Sequence, residues 1–519
     1  MKDSLPLCVD GRTGEDDIVE LWRARFQTIA NCVDTNVNEE FVVNALRNAR
    51  ATDNDVVTVH ELKHIVANLK NNKAIGNDGI PGEVFKYASP RLLTIMCILL
   101  SSCLLMRKLP NELMKVVLIP LLKCRSKDPS DTNNYRPIAI ATSMSKVLEQ
   151  VLLVRLQDYL HTADSQFGFK AAHGTEMAIF ALKQTVEYYK SKNSPVYLCF
   201  LDAKKAFDRV NHWTLFRKLL ERGTPPHLVE LLLLWYREQD FVVKWGGTLS
   251  SSFKCINGIR QGGQLSPLLY VVYTDELNSD LASAKVGCYV GDQCMNAISY
   301  ADDMVLLAPT VTALQKLVSV CDRFAEPHDV LYNTDKTVCM LVRPKSSRCK
   351  YATEVNLNNV GLQYVNEFRY LGHIVTDDFR DDKDIAKQFR RQNAVGNMLI
   401  RRFSFATPDV KIQLFKTHCY PIYSNALWCN YRQYSMNQLT VSYSTTFKRL
   451  MDRPRFTSSS AVFAEHQTDH IKVVLRKGAN SLMNRVLASS NALISAICNS
   501  DAYRRSGLLE RWDDMLYTR

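Results

Sequence analysis

The sequence predicts an α+β chain built as two or three subdomains, and three observations carry that expectation. At 519 residues it exceeds the ~250–300 at which one hydrophobic core stops growing. Residues 196–201 form a continuous apolar run, too short for a helix, that ends abruptly at Asp202, as a strand buried on both faces would. A second apolar stretch, residues 297–307, is broken at its centre by Asp302 and Asp303, which puts both carboxylates at the tip of a hairpin.

The elements follow in order. Ile18, Leu21, Trp22, Phe26 and Ile29 recur at three- and four-residue steps, so the first 50 or so residues read as helical. A helix from Val59 to Leu69 stops at Lys70-Asn71-Asn72-Lys73, and Gly76, Asn77, Asp78, Gly79 and Pro81 then make a turn. Residues 92–106 are uncharged and mostly apolar, closed by Arg91 and Arg107; the run is short of the ~18 residues that argue a membrane span and reads as a buried helix. Residues 116–122 read as a strand, 123–134 as a polar basic stretch and 139–160 as a helix. After Asp202, helices pass through Trp213, Phe216, Leu219 and Leu220 and through Leu228 to Trp235; another carries Val311, Leu314, Leu317, Val318, Cys321 and Phe324. Beyond Gly372 the pattern is mostly helical. There Ile385, Phe389, Leu399 and Phe403 share one side, and Lys387, Arg390, Arg391, Arg401 and Arg402 supply positive charge. The expected divisions are a helical connector over residues 1–55, then 56–193, 194–376 and a basic helical module over 377–519.

Composition narrows the function classes. Hydrophobic residues make up 46% and charged residues 23%, which excludes disordered and fibrous chains. The 15 cysteines are scattered singly with no Cys-x-x-Cys pair, so reduced thiols are expected and no zinc knuckle or disulfide framework. Asp3, Asp10, Glu15, Asp16 and Asp17 near the N-terminus form no signal pattern, so the expected place is inside the cell, cytoplasm or nucleus, with no membrane partner. Net charge is +12, unevenly placed: beyond residue 400 there are 17 Lys and Arg against 8 Asp and Glu, and before it 48 against 45. A basic end on a near-neutral body fits a polyanion, and equally fits a solvated basic face.

Adjacent carboxylates within a hydrophobic hairpin are costly unless a cation offsets them. Asp202, at the end of its own strand, is placed to lie beside Asp302 and Asp303. Three carboxylates at one cleft suit hard divalent ions and leave positions for phosphate oxygens, as two-metal phosphoryl transfer requires. Alone, an Asp-Asp at a turn reads as a solvated loop; its neighbours in sequence overturn that.

Tyr300-Ala301-Asp302-Asp303, preceded by Phe200-Leu201-Asp202-Ala203-Lys204-Lys205-Ala206-Phe207-Asp208, resembles the active-site pair of reverse transcriptases, specifically those of non-LTR (LINE-type) retrotransposons. Further blocks keep the family's order. Lys73-Ala74-Ile75-Gly76-Asn77-Asp78-Gly79-Ile80-Pro81, Asn134-Tyr135-Arg136-Pro137-Ile138 and Gln166-Phe167-Gly168-Phe169 come first. Gly258-Ile259-Arg260-Gln261-Gly262-Gly263-Gln264-Leu265-Ser266-Pro267 stands between the carboxylate blocks. Asn333-Thr334-Asp335-Lys336-Thr337 and Phe368-Arg369-Tyr370-Leu371-Gly372 follow.

The resemblance implies a right-hand polymerase with fingers to residue 193, an antiparallel-sheet palm over 194–376 and a helical thumb beyond, the reverse transcriptase domain covering about 100–376. It implies an RNA-directed DNA polymerase that uses an RNA template, a DNA primer, deoxynucleoside triphosphates and Mg2+, or Mn2+ in its place. Asp202 and Asp302 carry the ions, with the Ala203 carbonyl as a further ligand and Asp303 in support. Phe207 stands against the nucleotide 2′-hydroxyl, Arg136 with Lys123 and Arg125 clamps the triphosphate, Gln261 contacts nucleotide or template, and Lys336 protonates the pyrophosphate. Arg390, Arg391, Arg401 and Arg402 are expected nearest the duplex. Without the family, Phe207 reads equally as core, the Arg136 stretch as a solvated loop, Gln261 as a turn residue and Lys336 as surface.

Three departures accompany the likeness. Gln264 stands where the family usually has Pro, an endonuclease domain is not seen, and no Cys-His knuckle follows the thumb. A truncated reading frame or polymerase-only fragment is expected. An RNA-dependent RNA polymerase is disfavoured by bulky Phe207. The alternative is a decayed or domesticated RNA-binding relic of the same fold.

Overall fold

The computed structural model describes residues 5–33, 38–47, 55–124, 126–344 and 354–517. The chain divides into two interleaved units: residues 1–163, 203–276 and 323–331 form one, and residues 164–202, 277–322 and 332–519 the other.

The first unit is built on a four-stranded sheet in the order Tyr135–Ala141, Lys115–Leu122, Asp240–Trp245, Thr248–Leu249. Its two central strands, Lys115–Leu122 and Asp240–Trp245, run parallel, with Val116 paired to Phe241. Helix Glu15–Ala30 buries Ile18, Val19, Trp22 and Phe26 in the core with Val116, Leu118, Val243 and Trp245. Trp22 lies 4.8 Å from Tyr135 and 5.6 Å from Trp245, ring to ring, so an apolar stripe at helical spacing ends as an aromatic cluster.

Two elements differ from the sequence expectation. The helix expected from 139 begins only at Ser143, because Tyr135–Ala141 is a strand paired antiparallel to Lys115–Leu122. Pro137 disfavours helix, and the Thr142 side chain, accepting from the Ser145 amide, starts the helix Ser143–Leu156. The helix at Pro90–Met106 exists, capped by Ser89 and closed by Arg107 in the left-handed region, but it is not buried all round. Leu93, Met96, Leu100 and Leu104 face the core, while Ile95, Ile98, Leu105 and Met106 are exposed. Its apolar residues circle the helix, and neighbours cover only one side.

The second unit holds a five-stranded sheet in the order Ala297–Tyr300, Asp303–Ala308, Val196–Leu201, Val338–Val342, Gln363–Tyr364. The first three pairings are antiparallel and the last is parallel. Every residue of Val196–Leu201 is buried, as its unbroken apolar run requires. Helix Thr175–Ser191 shares a core with this sheet through Met177, Phe180, Leu182 and Val186. A hairpin, Glu367–Tyr370 with His373–Thr376, turns through Leu371 and Gly372, both at positive φ; a Cβ on Gly372 would press on the Tyr423 ring at 3.1 Å. Beyond it the chain is helical, from Asp382–Arg402 to Gly507–Tyr517: the earlier helices pack around Leu399, Phe415, Tyr443 and Phe447, and the last ones bring Leu493, Ile494, Leu508 and Trp512 into the core of the sheet.

Buried within this second unit is a compensated ionic network. Lys183 pairs with Asp381 and donates to the Leu427 carbonyl at 2.8 Å. Asp381 also accepts from the amides of Cys429 and Asn430, and Asp384 accepts from the Trp428 indole at 2.9 Å, with His373 near both carboxylates. Burial alone would raise these carboxyls. Lys183 and His373 nevertheless hold Asp381 far below its usual range, and His373, Trp428 and Lys387 hold Asp384 at about 2. Among the described residues no helix is long and apolar enough to cross a membrane.

Candidate functional site

The antiparallel pair Ala297–Tyr300 and Asp303–Ala308 is closed by Ala301 and Asp302, with Tyr300 opposite Asp303. Two-residue hairpin loops need a left-handed residue, and Ala301 supplies it at φ 58°, which costs an L-residue about 1 kcal/mol. Gln166 offsets that cost: its Oε1 accepts from the amides of Ala301 at 3.0 Å and Gly168 at 2.8 Å. The Phe167 amide donates to the Ser299 carbonyl, and the Ser299 amide to the Ser165 carbonyl, both at 2.8 Å. A Cβ on Gly168 would stand 2.7 Å from the Ala301 nitrogen, so this close approach requires glycine.

Leu201 pairs with Met304, so the register carries Asp202 to the level of Asp303 on the adjacent strand. The Asp202 amide donates to Thr337 Oγ1 at 3.2 Å, and its carbonyl accepts from the Asn333 amide at 2.8 Å. Those two bonds staple the segment carrying Lys336 beside the acidic turn, and Lys336 Nζ lies 3.9 Å from Asp202 Oδ2 with both side chains well exposed. An exposed pair at that distance is weak.

Asp302 and Asp303 reach solvent at the turn, yet the protein beneath withholds water from their charged forms. Burial, and then the charges of Asp302 and Asp202, push the Asp303 carboxyl up to about 6. Asp302 is raised by burial and by Asp202. Among the described residues no three His, Cys, Asp or Glu side chains are gathered tightly enough to grip a metal ion. The donor chemistry nevertheless suits a hard divalent cation, which takes carboxylate oxygens and would relieve a repulsion that the nearby lysine does not.

In the other unit, Ala203 follows Asp202 along the chain and is half-buried. Phe207 stacks on Tyr270 with ring centroids 4.7 Å apart and planes 11° from parallel. Gln261 Nε2 donates to Asp208 Oδ1 at 2.8 Å, and the Gln261 carbonyl accepts from the Ala139 amide at 2.8 Å. Arg260 forms a buried pair with Glu149, which also accepts from the Gln264 amide at 2.6 Å. The Gln264 side chain accepts from that of Gln150. Arg136 is exposed and pairs across the sheet with Leu121; Lys123, just past the end of that strand, donates from Nζ to the Asn133 carbonyl at 3.0 Å. Arg125 lies outside the described residues. Arg390, Arg391, Arg401 and Arg402 are all exposed on helix Asp382–Arg402, where eleven-residue spacing returns 390 to the side of 401 and 391 to that of 402. Arg391 Nη1 donates to the Pro421 carbonyl at 2.6 Å.

The structure therefore brings Asp202, Asp302, Asp303 and Lys336 together, and ties Phe207 and Gln261 to supporting side chains. Sequence reasoning missed the supports: Gln166, Thr337, Asp208, Tyr270 and Glu149. Gln166 stands within a block already singled out, but nothing local marks a side chain that works by holding a distant turn.

Residues 125–375 match the family model described as reverse transcriptase (RNA-dependent DNA polymerase). The chain is similar to the RNA-directed DNA polymerase from mobile element jockey of Drosophila melanogaster, 24% identical over 470 residues, 86% of this chain and 50% of that protein. It is also similar to the retrovirus-related Pol polyprotein from type-2 retrotransposable element R2DM of the same organism, 28% identical over 310 residues, 57% of this chain and 28% of the other. Among solved structures, apo telomerase from Candida tropicalis aligns with a TM-score of 0.38 and 11% identity over 75% of this chain and 69% of that one. The chain thus spans about half the length of the jockey polymerase.

Proposed function

We propose that this chain, which carries the reverse transcriptase domain of a non-LTR retrotransposon over residues 125–375, polymerises DNA on an RNA template. One observation carries the reading most: Asp302 and Asp303 share a hairpin tip beside Asp202, and their raised carboxyls mark negative charge that the protein leaves uncompensated. In this reading residues 1–55 are a connector, 56–193 the fingers, 194–376 the palm and 377–519 the thumb and C-terminal extension.

Bound Mg2+ or Mn2+ would supply the Lewis acidity that activates the primer 3′-hydroxyl and neutralises the triphosphate. Asp202 and Asp302, with the Ala203 carbonyl, would hold the ions, and Asp303 would keep the local potential negative. Lys336 would give its Nζ proton to the departing pyrophosphate, a role its exposed, weakly paired ammonium supports. Lys123 and Arg136, both exposed at the end of one strand pair, suit triphosphate oxygens; a guanidinium offers them two parallel donors. Phe207, kept flat by Tyr270, would exclude a 2′-hydroxyl by volume, and Gln261 would contact the nucleotide. The exposed arginine stripe would bind template-primer phosphates.

Primer extension on poly(rA)/oligo(dT) with Mg2+ or Mn2+ tests the reading. Deoxynucleotide incorporation by the wild type, lost in Asp202→Asn, supports it. RNA binding without incorporation would instead identify an RNA-binding relic of the fold.

A further inference from the structure

We infer that Asp208 is a positioning residue that fixes which edge of the Gln261 amide is presented to the incoming nucleotide, an inference resting on the nucleotide contact proposed for Gln261. An ionised carboxylate can only accept hydrogen bonds. The 2.8 Å bond from Gln261 Nε2 to Asp208 Oδ1 therefore turns the amino edge of the amide toward Asp208 and leaves Oε1 and one N–H for a ligand.

The backbone around this bond has little freedom. The Ile259 amide donates to the Phe207 carbonyl at 2.9 Å and the Gly258 amide to the Val210 carbonyl at 2.8 Å, while Asn257 Nδ2 donates to the Asp208 carbonyl at 2.5 Å. Gly258 is at φ 88°, and a Cβ there would meet the Asp208 carbonyl oxygen at 2.9 Å. Segments 207–211 and 257–261 are thus laced together, and the bond from the Ala139 amide holds the Gln261 main chain as well.

The Gln261 side chain, by contrast, has somewhere else to go. Gln261 and Asp208 line a cavity of about 60 Å³ whose walls include Pro137, His212, Gln239 and Phe241. With its main chain fixed and free space beside it, the amide depends on the carboxylate for a single orientation. Protonated Asp208 would offer an O–H to Oε1 and reverse the edge presented. Burial lifts this carboxyl to about 6, against the pull of Gln261, Lys205 and Lys123. The other titratable or charged groups at this place are Cys255 beside Asp208, and His212, Tyr236 and Arg260 on the cavity wall, Arg260 being paired with Glu149.

The test compares the wild type, Asp208→Ala, Asp208→Asn, Gln261→Ala and the Asp208→Ala/Gln261→Ala double variant by steady-state dNTP kinetics between pH 5.5 and 8. Asp208→Ala should raise KM for dNTP by about ten-fold or more at pH 7.5, the range of one hydrogen bond to a charged group, with kcat within about two-fold. The double variant should match Gln261→Ala alone. Asp208→Asn, which like the protonated acid can turn a donor toward Oε1, should show the raised KM already at pH 7.5 and lack the further rise in KM that the wild type shows below about pH 6. Should Asp208→Ala fail to fold, the isosteric Asn variant decides by that pH profile. Unchanged KM in Asp208→Ala, additive effects in the double variant, or a wild-type pH profile in Asp208→Asn would each overturn the inference. If Gln261→Ala leaves KM unchanged, the proposed nucleotide contact itself has failed, and this inference with it.

Discussion

Two acidic clusters of the same unit respond to burial in opposite ways. Asp381 and Asp384 lie deeper than Asp302 and Asp303, yet their carboxyls are held low while the others are raised. The difference is partners. Lys183, His373, the Trp428 indole and two backbone amides surround the first pair. Asp302 and Asp303 meet each other and Asp202, with Lys336 reaching only Asp202 from solvent. A fold can bury carboxylates safely when it supplies the cations; where it gathers them without cations it leaves negative charge that, in the proposed function, a bound divalent ion would offset.

Breaking the compensated cluster should have the largest effect. Lys183→Met leaves Asp381 buried without its ammonium and should cost about 3–5 kcal/mol of unfolding free energy, measured by urea denaturation. Asp302→Asn is the opposite case. It removes one of three repelling charges, so stability should hold or rise slightly, while DNA synthesis should fall by about a hundred-fold or more in primer extension. Comparable destabilisation by both substitutions would erase the distinction.

The pH dependence separates the clusters by sign. Asp384 titrates at about 2 in the folded chain, below the ordinary 3.8, so the unfolded chain takes up its proton first. Its stabilisation is complete above the ordinary value and is lost as pH falls toward 2. Asp303 keeps its proton to about pH 6 when folded, so it contributes stability at low pH that is lost as pH rises from about 4 through 6. Unfolding free energy measured against pH without divalent ions should show that second slope reduced in Asp303→Asn.

Legibility followed range along the chain. Val196–Leu201 and the split apolar hairpin were visible because their patterns are local, and so was the acidic turn they carry. Strand Tyr135–Ala141 was missed because its apolar residues run on into those of the next helix, and only pairing with Lys115–Leu122 divides them. The exposed side of Pro90–Met106 was hidden because composition cannot say which face finds a neighbour. Lys183 stands 198 residues from Asp381, and Gln261 stands 53 from Asp208. No window of sequence contains either pair.

The arginine stripe gives the smallest effect per residue. It is exposed and lies on the surface of helix Asp382–Arg402. Replacing Arg390, Arg391, Arg401 and Arg402 by Gln should reduce the slope of log affinity against log salt by about 0.7–0.9 for each phosphate no longer neutralised. Template-primer binding titrated across salt concentrations measures it, and coincident lines for wild type and variant would remove the stripe from the interface.

The most direct test of the account needs no nucleic acid. Thermal unfolding at pH 7.5, with MgCl2 or MnCl2 titrated at constant ionic strength, reports whether a divalent cation stabilises the folded chain. The acidic turn predicts a Tm that rises with divalent concentration in the wild type and in Lys336→Gln, and a flat response in Asp302→Asn. A wild type that gains nothing, or an Asp302→Asn variant that gains as much as the wild type, would contradict it.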